Sequence, residues 1–220
     1  MLDIEDSLAG KRITIHYAES KSDCRRIYGY AKRQSIWAFD TESTGLNSFH
    51  PDWELRTFQF GNGRRSFVIP ARFRGVIRAI AALPIRWIWH NATHDIRSVD
   101  CFLGYETGMQ IEGETYTVSM HRDPRNQKEG GTAHGLKELC AAFIDRNAGK
   151  WEKALKSEFK QITIPIEGEV YKSGKQKGQQ KVRKAKLSEG WALIDPSNPI
   201  YIAYAGADPI LTYHLWQWLA

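Results

Sequence analysis

The spacing of apolar residues along the chain predicts a succession of strands and helices. Apolar residues alternate with polar ones, or run together over a short distance, in the segments that we interpret as strands: 12–17, 35–42, 54–60, 66–70 and 86–90. Helical spacing marks longer segments: 20–33, 73–83, 93–103, 134–145 and 199–220. Gly61-Asn62-Gly63 lies between two of the strands and predicts a hairpin. A mixed α/β fold with a central sheet is therefore expected.

The last predicted helix begins at Pro199, with Ser197 as the expected N-cap. Pro209 lies inside this helix, where it removes the amide that would bond to Ala205. It also disfavours helical geometry at Asp208, so the pattern predicts a bend there. The helix carries no stop signal at its end. We therefore expect the chain to be the N-terminal part of a longer protein.

Residues 158–195 predict a strand-loop-strand excursion inserted into a single domain that spans 1–220. Within the excursion, residues 171–187 hold seven basic side chains and no acidic one, and without these the formal charge of +6 becomes −1. The excursion can be a solvated loop or a flap that contacts the phosphates of a nucleic acid. The basic residues are Lys172, Lys175, Lys177, Lys181, Arg183, Lys184 and Lys186.

Composition narrows the class of protein. Hydrophobic residues make up 42% of the chain and aromatic residues 12%, which is typical of a soluble globular domain. No run of about 18 apolar residues predicts a membrane span. Cys24, Cys101 and Cys140 are scattered and form no C-x-x-C pair, which argues against a disulfide framework or a zinc site. We expect the protein to reside in a reducing cytoplasm.

Two acidic residues end the apolar strand 35–42. Strand periodicity places Asp40 and Glu42 on the same face, where their charges repel each other unless a cation neutralises them. Oxygen ligands of this kind favour Mg²⁺ or Mn²⁺. The alternative is that the pair merely begins a solvated acidic loop.

Two further motifs pair an acidic residue with a polar or aromatic one four positions earlier. Asn91 and Asp95 follow the strand 86–90, and parallel strands would bring them to the same sheet edge as Asp40. Alternatively, Asn91 or Thr93 caps the next helix. Tyr204 and Asp208 share one helix face, although a core tyrosine and a helix-end aspartate would produce the same pattern.

Histidines near the second motif are not predicted to bind metal. His90 and His94 flank Asn91, but no third His or Cys lies at a spacing that would complete a site. Each is interpreted as a structural or surface imidazole.

Taken together and in this order, the three motifs resemble the DnaQ-like exonuclease superfamily. They match D-x-E at Asp40, N-x-x-x-D at Asn91 and Y-x-x-x-D at Tyr204. The tyrosine subtype, DEDDy, is indicated because Ala203 occupies the position where the other subtype has histidine. Residues 134–139, HGLKEL, also resemble the H-x-L-x-x-L helix of the family. The greatest similarity is to the proofreading domain of family A, DNA polymerase I-like enzymes.

This resemblance implies a ribonuclease H-like mixed β-sheet flanked by helices and a two-metal 3′-5′ exonuclease that uses Mg²⁺ or Mn²⁺. Asp40, Glu42 and Asp208 would hold the catalytic ion, Asp40 would bridge to a second, and Asp95 would support that second ion through water. Tyr204 would orient the attacking water.

The resemblance also implies how the substrate binds. Leu46 would wedge between the last two bases of a single-stranded or frayed DNA 3′ end. Nucleic-acid contacts are further expected from Thr41, Thr44, Gly45 and Asn91. A polymerase domain would follow at the C-terminus, and the setting would be the cytoplasm of a bacterial or phage-infected cell.

Two other functions fit the same motifs. One is a stand-alone RNase D-like or Werner-type exonuclease that acts on RNA or structured DNA. The other is a catalytically inactive module that binds nucleic acid. One departure from the family stands out: residues 116–120, YTVSM, replace the usual Asp-Thr pair before the H-x-L-x-x-L helix, so a supporting contact is expected to differ.

Overall fold

A computed structural model describes residues 1–220, and its centre is a seven-stranded sheet of order β1-β2-β5-β4-β3-β6-β7. The strands are β1 (Leu2–Leu8), β2 (Lys11–Tyr17), β3 (Ile36–Ser43), β4 (Leu55–Gly61), β5 (Arg65–Pro70), β6 (Arg86–Trp89) and β7 (Gln110–Glu114). The helices are α1 (Lys21–Ala31), α2 (Arg74–Ala81), α3 (Ala92–Leu103), α4 (Thr115–Arg122), α5 (Leu136–Phe143), α6 (Lys150–Phe159), α7 (Leu187–Leu193) and α8 (Pro199–Leu219). The predicted mixed α/β class is confirmed.

The sheet combines an antiparallel centre with parallel flanks. Strands β3, β4 and β5 form the predicted antiparallel meander. On one side β6 runs parallel to β3 and β7 runs parallel to β6; on the other β2 runs parallel to β5. Because β3 and β6 are parallel, the chain segments that follow them leave the same edge of the sheet.

The two faces of β3 have different neighbours. Trp37 and Phe39 point into an aromatic core shared with α1, α2 and α3, where Phe39 packs edge-on against Phe58 and Trp87. The alternate residues, including Asp40, point toward α8. The strand is therefore held by dense apolar packing on one face while its other face carries the acidic residues.

Helix α8 lies across the sheet and is the central element of the other core cluster. Asn198, not the predicted Ser197, caps it by accepting hydrogen bonds from the backbone amides of Ile200 and Tyr201. Pro209 does not interrupt the helix, and Asp208 keeps helical geometry in spite of the proline that follows it. Packing along the whole length of α8 outweighs the loss of one hydrogen bond.

Gly206 allows the close approach of α8 to the sheet. A Cβ atom at this position would collide with the Ile15 side chain and lie 2.9 Å from Oγ of Ser66. Glycine is thus required here by the narrow space between helix and sheet.

Several elements escaped prediction. Strand β1 is an edge strand whose apolar residues alternate with Asp and Glu. Strand β7, QIEGE, contains one large apolar residue, and α4, TYTVSMHR, has little helical amphipathicity. Helix α6, KWEKALKSEF, buries Trp151, Leu155 and Phe159 against the α8 cluster. Contacts with the rest of the fold specify these segments more strongly than their own patterns do.

The predicted strand-loop-strand excursion is present as a separate antiparallel hairpin of β8 (Thr163–Val170) and β9 (Gln180–Lys184). Arg183 donates two hydrogen bonds to Glu189 and ties the hairpin to α7. None of the eight α-helices combines the length and the apolar character that a membrane-spanning helix requires.

Candidate active site

Three carboxylates meet between the centre of the sheet and α8. Asp40 and Glu42 come from β3 and Asp208 from α8, and one oxygen atom of each lies within 4.8 Å of the others. Glu42 and Asp208 are buried and Asp40 is half-buried. The structure therefore brings together the acidic residues of the first and third sequence motifs.

A buried glutamine fixes the first of these carboxylates. Gln59 lies opposite Asp40 in the β3–β4 register, and its Nε2 donates a hydrogen bond of 2.7 Å to Asp40 Oδ2. Gln59 is fully buried. Sequence reasoning missed this residue, although a glutamine inside the apolar strand TFQF is itself a sign of a buried polar contact.

A lysine from α5 faces the third carboxylate. Lys137 Nζ forms an ion pair with Asp208 and lies 4.6 Å from the centre of the Tyr204 ring. Nζ is also 3.5 Å from the Tyr204 hydroxyl. The lysine side chain is only 14% exposed, so this cation is largely buried beside the carboxylates. The sequence motifs gave no indication of it.

Asp95 supports the site from the opposite side of β3. Its Oδ1 accepts hydrogen bonds from the backbone amide of Thr41, at 3.0 Å, and from the Thr41 hydroxyl. Thr41 is the residue between Asp40 and Glu42, so Asp95 holds the strand segment that carries both. Asp95 lies outside the cluster of three carboxylates, and its role toward a second metal ion stays a prediction.

Burial and mutual repulsion dominate the electrostatics. Desolvation, followed by the charges of neighbouring carboxylates, raises the pKa of Asp40 and of Glu42 well above the usual values. Burial raises the pKa of Asp95 to about 7, against the opposing effect of its bonds to Thr41. The pKa of Asp208 is also raised by burial, while Lys137 opposes the shift. These carboxylates are an unfavourable group without a neutralising cation.

The donor set fits a divalent metal ion. All three side chains offer carboxylate oxygens, which are the ligands preferred by Mg²⁺ and Mn²⁺. Oδ1 of Asp208 is buried and has no hydrogen-bond partner, so it is available as a ligand.

Tyr204 lies one helical turn before Asp208. Its side chain is nearly buried, and burial together with the charge of Asp208 raises the pKa of the phenol well above its ordinary value. The hydroxyl is therefore neutral at physiological pH and can donate one hydrogen bond while accepting others.

Residues 44–54 form a loop that begins where β3 leaves the site. Thr44 and Glu54 exchange backbone and side-chain hydrogen bonds across its base. The indole of Trp53 donates to the Gly45 carbonyl. Leu46 projects from this fixed loop with 86% of its surface exposed. Thr41, by contrast, is buried, and both its amide and its hydroxyl donate hydrogen bonds to Asp95.

Asn91 is the N-cap residue of α3 by position, but its side chain makes no capping bond. Its backbone is left-handed, with φ of 70°, and the side chain is exposed beside the site. Its amide donates to Oε1 of Glu114. The interpretation of Asn91 as a side-chain cap is therefore wrong, and its side chain is free to contact a ligand.

His90 has a structural contact. His90 Nδ1 lies 2.8 Å from the Thr115 hydroxyl, and burial lowers the pKa of His90 to about 4. At the departure from the family pattern, Ser119 of α4 contacts Nδ1 of His134 at 3.0 Å. The Ser119 hydroxyl thus takes part in the contact with His134.

The basic residues of the excursion lie on the β8–β9 hairpin and the turn that follows it. Lys181 pairs with Glu169 and Arg183 with Glu189. The others form no ion pair, and none of the basic residues hydrogen-bonds to the three carboxylates. The members without an acidic partner are Lys172, Lys175, Lys177, Lys184 and Lys186.

A family model described as 3′-5′ exonuclease matches residues 15–220. The chain belongs to this 3′-5′ exonuclease family. The exonuclease domain is 29% identical over 225 residues to the DNA polymerase of Mycobacterium phage L5, in an alignment covering 96% of this chain and 33% of the polymerase. It spans about one third of the length of the phage polymerases that it matches. The predicted resemblance to polymerase exonuclease domains is confirmed, and the domain is a hydrolase of phosphodiester bonds.

Solved structures confirm the ribonuclease H-like fold of the exonuclease domain. A Trypanosoma brucei RNase D complex with GMP has a TM-score of 0.59 at 12% identity, covering 94% of this chain and 57% of that one. Brucella melitensis NrnC bound to pGG has a TM-score of 0.53 at 17% identity, covering 94% of this chain and 80% of that one.

The carboxylate cluster should make the metal-free exonuclease domain sensitive to pH. A carboxylate whose pKa is raised on folding takes up protons in the folded state, so stability rises as pH falls through the raised pKa. We expect Asp40→Asn to raise the melting temperature in EDTA at pH 8, and this gain to shrink as the pH falls toward the raised pKa of the carboxylate. Thermal unfolding of both proteins across this range measures the difference.

Histidine and amino-terminal titrations cancel in that comparison, because both proteins contain the same groups. Asp123→Asn is the control, since this carboxylate is paired with Arg125 away from the cluster. A variant Asp40→Asn that is less stable than the wild type at pH 8 would contradict the repulsion.

Proposed function

We propose that this exonuclease domain releases nucleoside monophosphates from DNA 3′ ends in a metal-dependent reaction and serves in proofreading. The observation that carries the proposal is the convergence of Asp40, Glu42 and Asp208 on one buried point. Membership of the exonuclease family and similarity to phage DNA polymerases support DNA as the substrate.

Asp40, Glu42 and Asp208 would hold the catalytic Mg²⁺ or Mn²⁺, and Asp95 would support a second ion through water. Bound ions would supply Lewis-acid chemistry: activation of water and stabilisation of the leaving 3′ oxygen. Within the protein, Gln59 keeps Asp40 in place and Asp95 immobilises the backbone at Thr41. These contacts reduce the reorganisation that the ligands undergo during the reaction.

Tyr204 would orient the attacking water with its neutral hydroxyl. Lys137 contributes positive charge to the same corner of the site, where it pairs with Asp208 and faces the tyrosine ring. A buried cation beside the carboxylates would stabilise the negative charge that develops on a phosphodiester during hydrolysis.

The substrate would be a single-stranded or frayed 3′ end. Leu46 would separate the last two bases, and Thr44, Gly45 and Asn91 would contact the terminal nucleotides. The backbone at Thr41 would also approach the terminal nucleotide. The length of the related polymerases supports a polymerase domain C-terminal to this one, acting in the cytoplasm of a bacterial or phage-infected cell.

The β8–β9 hairpin would contact DNA phosphates without reading sequence. Lys172, Lys175, Lys177 and Lys184 are exposed and form no ion pair, as expected of a surface that receives a polyanion. Lys181 and Arg183, which are already paired, would contribute less than the unpaired lysines.

Incubation with 5′-labelled single-stranded DNA and Mg²⁺ or Mn²⁺ tests the activity. We expect progressive shortening from the 3′ end with release of monophosphates, abolished by EDTA and reduced at least about 1,000-fold by Asp40→Asn, because a metal ligand loses its charge. Asp123→Asn should retain full activity.

A parallel RNA substrate separates the alternatives. Degradation of RNA but not DNA would favour an RNase D-like enzyme. Absence of any product from the wild type, with Asp40→Asn binding DNA equally well, would support an inactive binding module.

Replacing Tyr204 with Phe should lower kcat on the order of 100-fold, since only the hydroxyl that orients water is removed. Affinity for single-stranded DNA, measured with Ca²⁺ in place of Mg²⁺, should change less than about twofold. Tyr201→Phe is the matched control because Tyr201 is buried on the same helix and its hydroxyl contacts Thr57. Equal losses of cleavage and binding in Tyr204→Phe would count against an orienting role.

Simultaneous replacement of Lys172, Lys175 and Lys177 with Gln should weaken DNA binding and reduce its salt dependence. Each lost phosphate contact reduces the steepness of the fall of log K with log salt, where K is the binding constant, by about 0.7 for a single strand. Fluorescence anisotropy over a salt series measures the slope. Replacement of the exposed Lys11, Lys21 and Lys32 with Gln is the control and should leave the slope unchanged. An unaltered slope in the hairpin variant would show that the hairpin does not contact DNA phosphates.

A further inference from the structure

Hydrogen bonding holds the hydroxyl of Tyr204 only weakly. Nζ of Lys137 lies 3.5 Å away, which is the outer limit for a hydrogen bond. The same lysine is already paired with Asp208, one helical turn further along α8. The phenol ring, by contrast, is buried in the α8 core cluster. The position of the hydroxyl therefore depends on the side chains that pack against the ring.

Trp191 of α7 is the aromatic side chain that packs against this ring. The centres of the two rings are 5.5 Å apart, and their planes are inclined by 57°. Contacts between tilted aromatic rings at this distance are attractive. Lys137 of α5 lies 4.6 Å from the centre of the same Tyr204 ring. The phenol is thus confined by an indole from one helix and by a cation from another.

Helix α6 holds the indole of Trp191 in place. Trp191 meets Phe159 edge-on, with ring centres 5.1 Å apart and 74° between the planes. The residue before Trp191 is Gly190, where a Cβ atom would collide with the Phe159 ring. Glycine therefore allows α7 to approach α6 closely, and this close approach sets the position of the indole.

Arg56 of β4 ties the end of α7 to the sheet. Its guanidinium donates hydrogen bonds to the carbonyl oxygens of Ala192, at 2.9 Å, and of Ile194. These carbonyls lie at the C-terminal end of α7, where a cation is favourable. Trp191 is therefore held between α6 and the strand that also carries Gln59.

We propose that Trp191 is a positioning residue of the exonuclease reaction, which holds the Tyr204 ring so that its hydroxyl stays beside the carboxylates. This inference rests on the proposed role of Tyr204 and deepens it, because it assigns the placement of the hydroxyl to ring packing from α7. Without the indole the phenol gains freedom to move. A displacement of about 1 Å is enough to slow a reaction that depends on orientation.

Steady-state cleavage of single-stranded DNA by the whole chain, with DNA affinity measured in Ca²⁺, tests this role. Trp191→Ala should lower kcat about tenfold and change affinity less than about twofold, because the hydroxyl shifts while the DNA contacts remain. Trp191→Phe should restore most of kcat, since it keeps a ring against Tyr204. Trp218→Ala is the control, because Trp218 is on the same helix as Tyr204 but stacks on Phe143. Equal losses of kcat and affinity in Trp191→Ala would overturn the role.

A double replacement separates positioning from a general loss of packing. Tyr204→Phe already lacks the hydroxyl, so the addition of Trp191→Ala should lower kcat less than about twofold further. A further tenfold loss would show that Trp191 acts by another route. Arg56→Gln keeps the indole but releases α7, and it tests the proposal even where Trp191→Ala does not fold. It should also lower kcat without weakening DNA binding, and an unchanged kcat would contradict the proposal.

Incorporated 3-fluorotyrosine reports on the contact without catalysis. The ¹⁹F resonance of residue 204 is identified by its loss in Tyr204→Phe. It should shift in Trp191→Ala and not in Trp218→Ala, because a neighbouring indole alters the local magnetic field at the phenol. An unchanged resonance in Trp191→Ala would show that the contact is absent. A wild type that releases no nucleotide would instead contradict the exonuclease function, while the resonance would still test the contact.

Discussion

Repulsion between buried carboxylates is the constraint on which the rest of the structure depends. Asp40, Glu42 and Asp208 place carboxylate oxygens within 4.8 Å of one another, so their negative charges repel. Neighbouring side chains offset part of this repulsion. Lys137 offsets one negative charge, and Gln59 donates a hydrogen bond to another. The remaining imbalance is negative charge, which a divalent cation would neutralise.

The surrounding fold resists the movement that this repulsion would cause. Strand β3 is fixed by aromatic packing behind it, with Phe39 against Phe58 and Trp87. The third carboxylate belongs to a helix that is buried along most of its length, so the backbone of this helix cannot move away without disturbing a core cluster. The carboxylates are thus surrounded by buried side chains, whereas the β8–β9 hairpin and Leu46 are exposed.

Local periodicity accounts for what the sequence predicted. Residues two apart on a strand share a face, and residues four apart on a helix do likewise, which places Asp40 with Glu42 and Tyr204 with Asp208. Contacts across the fold could not be predicted in this way. Lys137 looks like any lysine of an amphipathic helix, and only the packing of α5 against α8 shows which atoms it faces. The helix continues through Pro209 for a related reason, since tertiary contacts maintain it around the proline.

Gly206 has a consequence for the chemistry as well as for packing. Because a missing methyl group sets how closely α8 approaches Ile15 and Ser66, the distance between backbones determines how far Asp208 must reach toward β3. The spacing between helix and sheet therefore sets the room between the three carboxylates. That room is in this sense a property of the backbone, fixed at a glycine two residues away from the nearest carboxylate of the cluster.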